Sequence, residues 1–436
     1  MREMKDSGVP WIGKIPVYWK TIRLKYISKL INGFAFKSQD LKVDGYYKVV
    51  RIGDLNNNKI NLEDCLGVDV VDNYRDYKVC MGDALVALSG ATVGKVAFAD
   101  NNIECYINQR VGIIRSFWSR LIFHIFSVDK FIENLKSCLN DSAQPNLSIE
   151  DIGRISIPIY DKTTIKRIVR YLDDKCAQID TIIAKEQSVI EKLQEYKQSV
   201  ITEAVTSGLD STTSLVSSGV EWIARIPLNW KITRFTMSFE FFKGLNIKKT
   251  DLVDSGACVV SYGQVHAKNN NGYSLQDDLI RYVAEDLIDE KSLLQEGDFV
   301  FADTSEDLEG VGNCIHIDSS NEVYAGYHTL VARCLDNSIC TKYFAFLFLT
   351  DIWRSQLRRN ANGTKVYSVT QKMFKAVSCL VPPIEEQLKI VVYLEQKCDA
   401  IDRVISHKLT IIDTLTEYKK SLIYEVVTGK KEVPHD

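Results

Sequence analysis

A long helical segment occurs twice in this chain, and the repetition limits the folds that the chain can adopt. Residues 165–206 return 222 residues later, and 19 of the 39 aligned positions from Ile168 to Thr206 are identical. Apolar residues recur every three or four positions in both copies, without an intervening Gly or Pro, which is typical of a helical coiled-coil seam. At 1.5 Å per residue, each helix would be roughly 60 Å long.

Each apolar seam must be buried, and the natural partner of one copy is the other copy. Two unrelated surface helices are the alternative, but that arrangement leaves the repetition unexplained. We therefore expect the two helices to form an antiparallel coiled coil. The expected seam residues are Ile165, Ile168, Leu172, Cys176, Ile179, Ile183, Ile190, Leu193, Tyr196, Val200 and Ala204 in the first copy, and Ile390, Leu394, Cys398, Ile401, Ile405, Ile412, Leu415, Tyr418 and Leu422 in the second.

The segment that precedes each helix is duplicated as well. The opening W-I-x-x-I-P-x-x-W occurs at Trp11 and again at Trp222. The sequence predicts an α+β protein with two mixed α/β domains, called heads below, two long helices and pseudo-twofold symmetry. The expected boundaries are 1–160 for head 1, 161–207 for the first helix, 208–217 for a linker, 218–382 for head 2 and 383–430 for the second helix.

Within the heads, short β-branched and aromatic runs lie between Gly, Asn and Asp residues, a pattern that predicts strands. Corresponding runs are VVRIGDL and VVSYGQV, GDALVAL and GDFVFAD, and ECYINQRVGIIR and EVYAGYHTLVAR. Helical patterns follow near 121–139 and 343–359.

Composition and motif content argue against several classes of function. The formal net charge is only −3, the 11 cysteines include no C-x-x-C pair, and the six histidines show no ligand spacing. The chain has no phosphate-binding loop, no dinucleotide fingerprint, and no H-E-x-x-H or G-x-S-x-G motif. Its first residues lack the apolar core typical of a signal peptide, and no apolar run approaches ~18 residues. We therefore expect a cytoplasmic protein that binds no metal or cofactor and is not an enzyme by itself.

Polar and basic residues are concentrated where the two heads differ most. Arg, Lys, Asn, Gln, Ser and Thr pair with base edges and phosphates, although each could also be an ordinary turn or surface residue. The candidate DNA-binding residues are Ser89, Thr92, Lys95, Asn108, Gln109, Arg110, Gln144 and Asn146 in head 1, and Tyr262, Gln264, Thr304, Ser305, Tyr327, His328, Arg358, Arg359, Thr364 and Lys365 in head 2. Binding should weaken with salt if Arg110, Arg354, Arg358, Arg359 or Lys365 contacts phosphate.

The combined pattern resembles the specificity (S) subunit of type I restriction-modification enzymes, the HsdS family. The resemblance covers nearly the whole chain and is carried by both openings, by V-P-P-I-E-E-Q at Val381, by Y-L-E-Q-K-C-D-A-I-D and by E-Y-K-x-S-L-I-x-E-V-V-T-G. The first helix departs from it, because I-P-I-Y-D-K-T-T-I precedes the helix and lacks the Glu-Gln pair.

The resemblance implies that the heads are target recognition domains. Each would read half of a split double-stranded DNA site in the major groove, and the helices would set the spacing. Two methyltransferase subunits would methylate adenine at N6 with S-adenosylmethionine, and two restriction/translocase subunits that use ATP and Mg²⁺ could join. The helix residues Tyr196, Lys197, Tyr418 and Lys419 are candidates for partner binding, although the tyrosines could equally pack in the core. A DNA-independent coiled-coil scaffold and an enzyme of unfamiliar motif are the alternatives.

Overall fold

The chain forms two compact units, each of which combines one head with parts of both long helices. Unit 1 contains residues 1–187 and 408–436, and unit 2 contains residues 188–407. The structure, a computed structural model, describes residues 2–56, 58–69, 74–137, 146–318, 321–336, 339–361, 363 and 366–434. None of the helices in these ranges is long and apolar enough to cross a membrane.

In its described residues, head 1 has short strands, three short α-helices and the start of the first long helix. The strands are β1 (Met4–Asp6), β2 (Lys14–Pro16), β3 (Lys20–Arg23), β4 (Lys29–Asn32), β5 (Tyr47–Val50), β6 (Leu55–Asn56), β7 (Lys59–Ile60), β8 (Gly67–Val68), β9 (Ala84–Ala87), β10 (Val96–Phe98), β11 (Cys105–Ile107), β12 (Val111–Arg115) and β13 (Ser156–Ile159). The helices are α1 (Ser119–Ile125), α2 (Asp129–Lys136), α3 (Ile149–Arg154) and the long α4 (Lys162–Ser207).

Head 2 has a similar order of elements and leads into the second long helix. The strands are β14 (Leu215–Val220), β15 (Ile223–Pro227), β16 (Lys231–Arg234), β17 (Phe239–Lys243), β18 (Leu252–Val253), β19 (Ala257–Val260), β20 (Arg281–Val283), β21 (Phe299–Ala302), β22 (Thr304–Ser305), β23 (Cys314–His316), β24 (Val323–Ala325), β25 (Thr329–Cys334), β26 (Tyr367–Ser368) and β27 (Ser378–Val381). The helices are α5 (Phe235–Ser238), α6 (Tyr262–Val265), α7 (Thr341–Phe348), α8 (Asp351–Arg358), α9 (Gln371–Phe374) and the long α10 (Ile384–Val427).

The main sheet has the same topology in both heads. Head 1 has an antiparallel sheet in the order β10-β9-β12-β4, and head 2 has the corresponding order β23-β21-β25-β17. A second sheet in each head contains one parallel pair, β5 with β11 and β19 with β24. The predicted mixed α/β heads and the two long helices are therefore confirmed.

Three local predictions differ from the structure. Each of the two helical patterns near 121–139 and 343–359 forms two helices instead of one. In head 1, α1 ends at Ile125 and α2 begins at Asp129. In head 2, the side chain of Thr350 caps the start of α8 by accepting from the amide of Trp353. The runs VVRIGDL and VVSYGQV were each expected to be one strand, but only the first two residues of each lie in β5 or β19, and Tyr262–Val265 forms the single-turn helix α6. The strand β14 also begins inside the stretch that was expected to be linker.

The repeated openings have a structural role in each head. The indole Nε1 of Trp11 donates to the carbonyl of Ser156 at 3.0 Å, and that of Trp222 donates to the hydroxyl of Ser378 at 2.9 Å. Both acceptors lie on the strand that precedes a long helix, β13 or β27. The opening of each repeat therefore ties the beginning of a head to the base of its own helix.

Within each unit the segments of α4 and α10 run antiparallel. In unit 1, Leu172 and Cys176 belong to the same buried cluster as Leu422 and Val426. The exposed side chains of Tyr196 (55%) and Tyr418 (51%) contradict the prediction that both belong to the buried seam. The heptad pattern placed these residues on the apolar stripe, but the phenol ring of tyrosine tolerates water at that edge of the stripe.

His316 on β23 gives unit 2 a testable pH dependence. Its imidazole is 3% exposed, its Nε2 lies 3.1 Å from Thr341 Oγ1, and burial, together with nearby Lys342, lowers its pKa to about 4. An unfolded histidine titrates near ~6.5. As the pH falls from about 6.5 to about 4, the unfolded chain takes up a proton that the folded chain does not, so the free energy of unfolding decreases.

We expect His316→Gln to flatten the pH dependence of stability in that window. Urea unfolding measured between about pH 7 and pH 4 checks this expectation. The matched control is His407→Gln on α10, because His407 is exposed to solvent. An unchanged slope in His316→Gln would contradict the assignment.

Candidate nucleic-acid interface

A buried ion pair fixes the framework of head 1. The guanidinium of Arg115, at the end of β12, donates from Nε to Asp83 Oδ1 at 2.8 Å and from Nη2 to Asp83 Oδ2 at 2.7 Å. Asp83 is 1% exposed and also accepts from the amide of Cys80. A bidentate pair of this kind holds both partners in one geometry. The pair therefore anchors β12 to the turn that precedes β9.

Head 2 contains the equivalent ion pair, and the two arginine–aspartate pairs are called clamps below. Arg333 on β25 donates to both carboxylate oxygens of Asp298, at 2.9 and 2.6 Å, and Asp298 is 1% exposed. The preceding Gly297 has φ +94° and the equivalent Gly82 has φ +89°, a left-handed conformation that favours glycine. The repeated Gly-Asp dipeptide in the sequence is therefore a turn followed by the buried carboxylate of a clamp.

Backbone hydrogen bonds join three loop segments of head 1 into one junction. The amide of Leu88 donates to the carbonyl of Arg110 at 2.9 Å, and the amide of Leu147 donates to the carbonyl of Leu88 at 2.8 Å. Ser89 and Asn146 also form an antiparallel bridge. The segments come from the end of β9, the turn between β11 and β12, and the start of α3. Residues from distant parts of the chain therefore share one surface.

This junction brings together most of the candidate DNA-binding residues of head 1. Gln109, Arg110 and Asn146 are exposed there, whereas Ser89 is 6% exposed. Lys95 is also exposed, but it lines a cavity together with Thr416 and Lys419 of α10. Thr92 and Asn108 are half-buried, and the remaining candidate, Gln144, lies outside the described residues. One cation and two carboxamides, which can donate to phosphates and to base edges, are thus exposed at this junction.

The same junction occurs in head 2 with different side chains. The amide of Asp303 donates to the carbonyl of His328 at 3.1 Å, and the amide of Val369 donates to the carbonyl of Asp303 at 2.7 Å. Thr304 pairs with Ser368 across β22 and β26. His328 occupies the position of Arg110 and has φ +53°. Its Nδ1 lies 3.2 Å from Asp303 Oδ1.

Tyr262 and Tyr327 adjoin this junction of head 2. The amide of Tyr262 donates to the carbonyl of Tyr327, and the Tyr262 ring centroid lies 6.3 Å from that of His328. Gln264 is 9% exposed, and its Oε1 accepts from the amide of Ser261 as the cap of α6. Ser305 is 2% exposed and donates to the carbonyl of Asp307. The exposed face therefore carries Tyr262, Tyr327 and His328 rather than Gln264.

The arginines of α8 and its C-terminus occupy three different environments. Arg354 donates to the carbonyl of Phe348 and to Asn313 Oδ1, and burial lowers its pKa. Arg358 bridges Asp351 and the carbonyl of Glu309, whereas Arg359 forms an exposed ion pair with Glu221. Arg354 therefore supports the fold, and a phosphate would have to compete with partners at Arg358 and Arg359. Thr364 and Lys365 lie outside the described residues.

An acidic loop beside Tyr262 was missed by the sequence reasoning. Glu306, Asp307 and Glu309 line a cavity of about 370 Å³ together with Tyr262, His266, Ser305, Gly310 and Asn313. The Tyr262 hydroxyl donates to Glu306 Oε1 at 3.4 Å, and burial together with this carboxylate raises the pKa of Tyr262. The run SEDLEG directly after Thr304 was the available signal. Carboxylates accept hydrogen bonds from the amino group of cytosine, so an acidic loop fits base reading rather than phosphate contact.

Two glycines make close approaches that position the turns. A Cβ on Gly33 would lie 1.9 Å from the carbonyl oxygen of Asn108, and a Cβ on the equivalent Gly244 would lie 2.1 Å from that of Gly326. Gly33 directly follows β4, and Gly244 directly follows β17. Each of these strands is an edge strand of the main sheet of its head. The backbone of that edge thus supports the turn that carries Asn108–Arg110 or Tyr327–His328.

The candidate partner-binding residues divide into two groups. Lys197 donates to both oxygens of Asp402, at 2.9 and 2.7 Å, and Lys419 donates to both oxygens of Asp180, at 2.6 and 2.7 Å. Their side chains are 17% and 19% exposed. Tyr196 and Tyr418 remain open to solvent. The lysines therefore hold the helices together, and the tyrosines are the accessible members.

Comparison with known proteins identifies a matching family model and similar specificity subunits. A family model described as "Type I restriction modification DNA specificity domain" matches residues 16–192 and 229–415. The chain is 24% identical over 426 residues to the StySPI specificity subunit of Salmonella potsdam and 24% identical over 428 residues to the EcoKI specificity subunit of Escherichia coli K12. Each alignment covers 93% of this chain and 88% of the relative.

A solved structure has a similar fold. It is described as the structural basis underlying complex assembly and conformational transition of the type I R-M system. The match has a TM-score of 0.69 at 14% identity and covers 96% of this chain and 99% of the other.

Proposed function

The chain belongs to the type I restriction modification DNA specificity domain family, and on this premise we propose that each head reads one half of a bipartite, asymmetric DNA site through the major groove. Specificity subunits of type I restriction enzymes recognise DNA sequence and are not catalytic themselves, and the catalytic activity lies in partner subunits. The protein accordingly supplies sequence recognition to a type I restriction-modification system.

The observation that carries the proposal is the repeated three-segment junction with different side chains. The same backbone hydrogen bonds hold Arg110 in head 1 and His328 in head 2. A rigid framework that carries variable loops is suited to recognition, because the loops determine which groups meet the ligand. Since the two sets of groups differ, the two half-sites differ as well.

The helices are proposed to set the spacing between the half-sites. The uninterrupted α4 has 46 residues and α10 has 44. At 1.5 Å per residue their lengths are roughly 65–70 Å, on the order of two turns of B-DNA at ~34 Å per turn. Cross-helix ion pairs and the apolar seam support a stiff spacer.

The partners follow from the same premise. We propose that two methyltransferase subunits, and in the restriction complex also two restriction/translocase subunits, join this chain on double-stranded DNA. S-adenosylmethionine, ATP and Mg²⁺ then belong to those subunits, and this chain binds no cofactor. Tyr196 and Tyr418 are the proposed docking contacts, because exposed tyrosines on a rigid helix are favourable interface residues. Lys197 and Lys419 support them by fixing the helices.

The test is to map methylated adenines in cells that express the chain with its methyltransferase partner. The wild type is expected to give a bipartite motif with two unlike halves. Arg110→Ala should relax base preference in one half by about 1–3 kcal/mol per lost contact, and His328→Ala should relax the other half. The two positions are structurally equivalent, so each variant is the matched control for the other.

Arg110→Lys separates base reading from phosphate contact. Lysine keeps the positive charge but not the planar donor fork of arginine. If Arg110 reads a base, the lysine variant should relax the motif as alanine does, whereas a phosphate contact would be largely retained. A palindromic wild-type motif, or relaxation of the same half by Arg110→Ala and His328→Ala, would contradict the proposal. Absence of DNA binding by the complex would favour a scaffold function.

A further inference from the structure

Three ion pairs between the long helices form an informative pattern. In unit 1, Lys419 pairs with Asp180, and Lys408 Nζ lies 2.6 Å from Glu186 Oε2. In unit 2, Lys197 pairs with Asp402. Each pair joins one residue of α4 to one residue of α10.

Two of these pairs are copies of each other, and the third is not. Asp402 and Lys419 lie 222 residues after Asp180 and Lys197, so the repeat accounts for both lysine–aspartate pairs. Lys408 lies 222 residues after Glu186, so this pair joins a residue of one repeat to its own counterpart in the other. At this position the two copies of the repeat carry opposite charges, a glutamate in α4 and a lysine in α10.

Over most of its length, the apolar seam is the same in the two helices, although Val200 and Ala204 near the end of α4 correspond to Leu422 and Val426 in α10. Its residues are the same in both copies at Ile168 and Ile390, Leu172 and Leu394, Cys176 and Cys398, Ile179 and Ile401, Ile183 and Ile405, Ile190 and Ile412, and Leu193 and Leu415. The aspartates and lysines of the two outer pairs are identical as well. If α4 paired in the same register with α4 of a second chain, these contacts would all be kept.

The Glu186–Lys408 pair alone among these contacts would be lost in such an exchange. Pairing α4 with a second α4 would bring Glu186 against Glu186, and pairing α10 with a second α10 would bring Lys408 against Lys408. Both side chains of the native pair are 22% exposed, so water screens the charges incompletely. Like charges at the same position therefore oppose homotypic pairing, as charged positions do in coiled coils.

We propose that Glu186 and Lys408 are the selectivity element that makes α4 pair with α10 and disfavours pairing of identical helices from two copies of the chain. A homotypic assembly would join two identical heads. Its biological consequence rests on the proposed function, because such an assembly would read a symmetric site instead of one with two unlike halves.

The test uses full-length chains that carry two different affinity tags and are co-expressed in pairs. Glu186→Lys gives a chain with lysine at both positions, and Lys408→Glu gives a chain with glutamate at both. Pairing within either variant then joins like charges, whereas pairing between the two variants joins opposite charges. We expect the fraction of mixed-tag complexes to rise at least about threefold over a wild-type pair and over either variant paired with itself.

Two controls separate selectivity from a general loss of stability. The double variant Glu186→Lys/Lys408→Glu restores opposite charges within one chain, so its melting temperature and its mixed-tag fraction should return to wild-type values. The pair Glu417→Lys and Lys420→Glu alters charges of the same type on α10 and should not raise mixed-tag complexes, because Lys420 pairs with Glu417 at i,i+3 and with Asp129 of α2 rather than with α4.

The outcomes are decisive in both directions. Recovery of a poorly folding single variant by co-expression with the opposite variant supports the proposal as much as a rise in mixed-tag complexes does. An unchanged mixed-tag fraction, or a double variant that melts no higher than the singles, overturns it. No DNA is used, so failure here would leave the proposed recognition function untouched.

Discussion

Arg333→Ala is expected to lower the free energy of unfolding of unit 2 by about 3–5 kcal/mol, because it leaves the Asp298 carboxylate buried without its charged partner. The Asp298 side chain is 2% exposed while that of Arg333 is 23% exposed, so the guanidinium covers the carboxylate and supplies its charged partner. The variant also removes the donor to the carbonyl of Leu293. Urea unfolding measures the loss, and hydrogen–deuterium exchange assigns it to unit 2.

The control for this substitution is Arg154→Ala in head 1. Arg154 is 72% exposed and pairs with Asp151 at i,i+3, so its removal should cost about 0–1 kcal/mol. A second variant, Arg333→Met with Asp298→Asn, removes both charges and should recover part of the loss, since no unpaired charge then remains buried. A loss in Arg333→Ala no larger than in Arg154→Ala would show that the clamp does not stabilise the head.

Gly33→Ala is expected to displace the turn that carries Asn108 and Arg110 and to weaken recognition by head 1. The added Cβ would meet the carbonyl oxygens of Asn108 at 1.9 Å and Val111 at 2.8 Å. These are backbone atoms, which cannot rotate away as a side chain can, so the turn must shift. Overpacking of this kind costs about 1–3 kcal/mol or more. Faster hydrogen–deuterium exchange across 105–112 and weaker DNA binding by the assembled complex are the expected results.

The same substitution at Gly53 is the matched control. A Cβ at Gly53 meets nothing within 4 Å, so Gly53→Ala should change neither exchange nor DNA binding. Head 2 offers an independent repeat of the comparison, with Gly244→Ala expected to disturb the turn at Gly326 and Gly263→Ala expected to be neutral. If Gly33→Ala binds DNA as tightly as Gly53→Ala does, the turn at Arg110 is not part of the reading surface.

The fold class and the duplication were determined by the sequence alone. Helical periodicity and strand alternation are local patterns, and they predicted the two long helices and the strands β9, β12, β21 and β25. The 222-residue repeat also identified the helices as partners. The same local pattern could not separate α1 from α2 or α7 from α8, because a short break changes the spacing of apolar residues very little.

The composition of the candidate interface was decided only by tertiary structure. Sequence reasoning selected polar residues in loops that the fold of each head brings together, but it could not tell that Gln264 caps a helix, that Arg354 is buried or that Glu306 adjoins Tyr262. It also gave no sign that Asp298 is clamped by Arg333, 35 residues away.

The physical reason for this division is the range of the interactions. The spacing of apolar residues in a helix or a strand is set by backbone geometry within a few residues, so it can be read directly from the sequence. The exposure and charge environment of a side chain depend on groups that only the folded backbone brings within a few ångströms. For this protein, the repeat therefore determined that two heads and two paired helices form, and the packing of each head determined which side chains remain exposed.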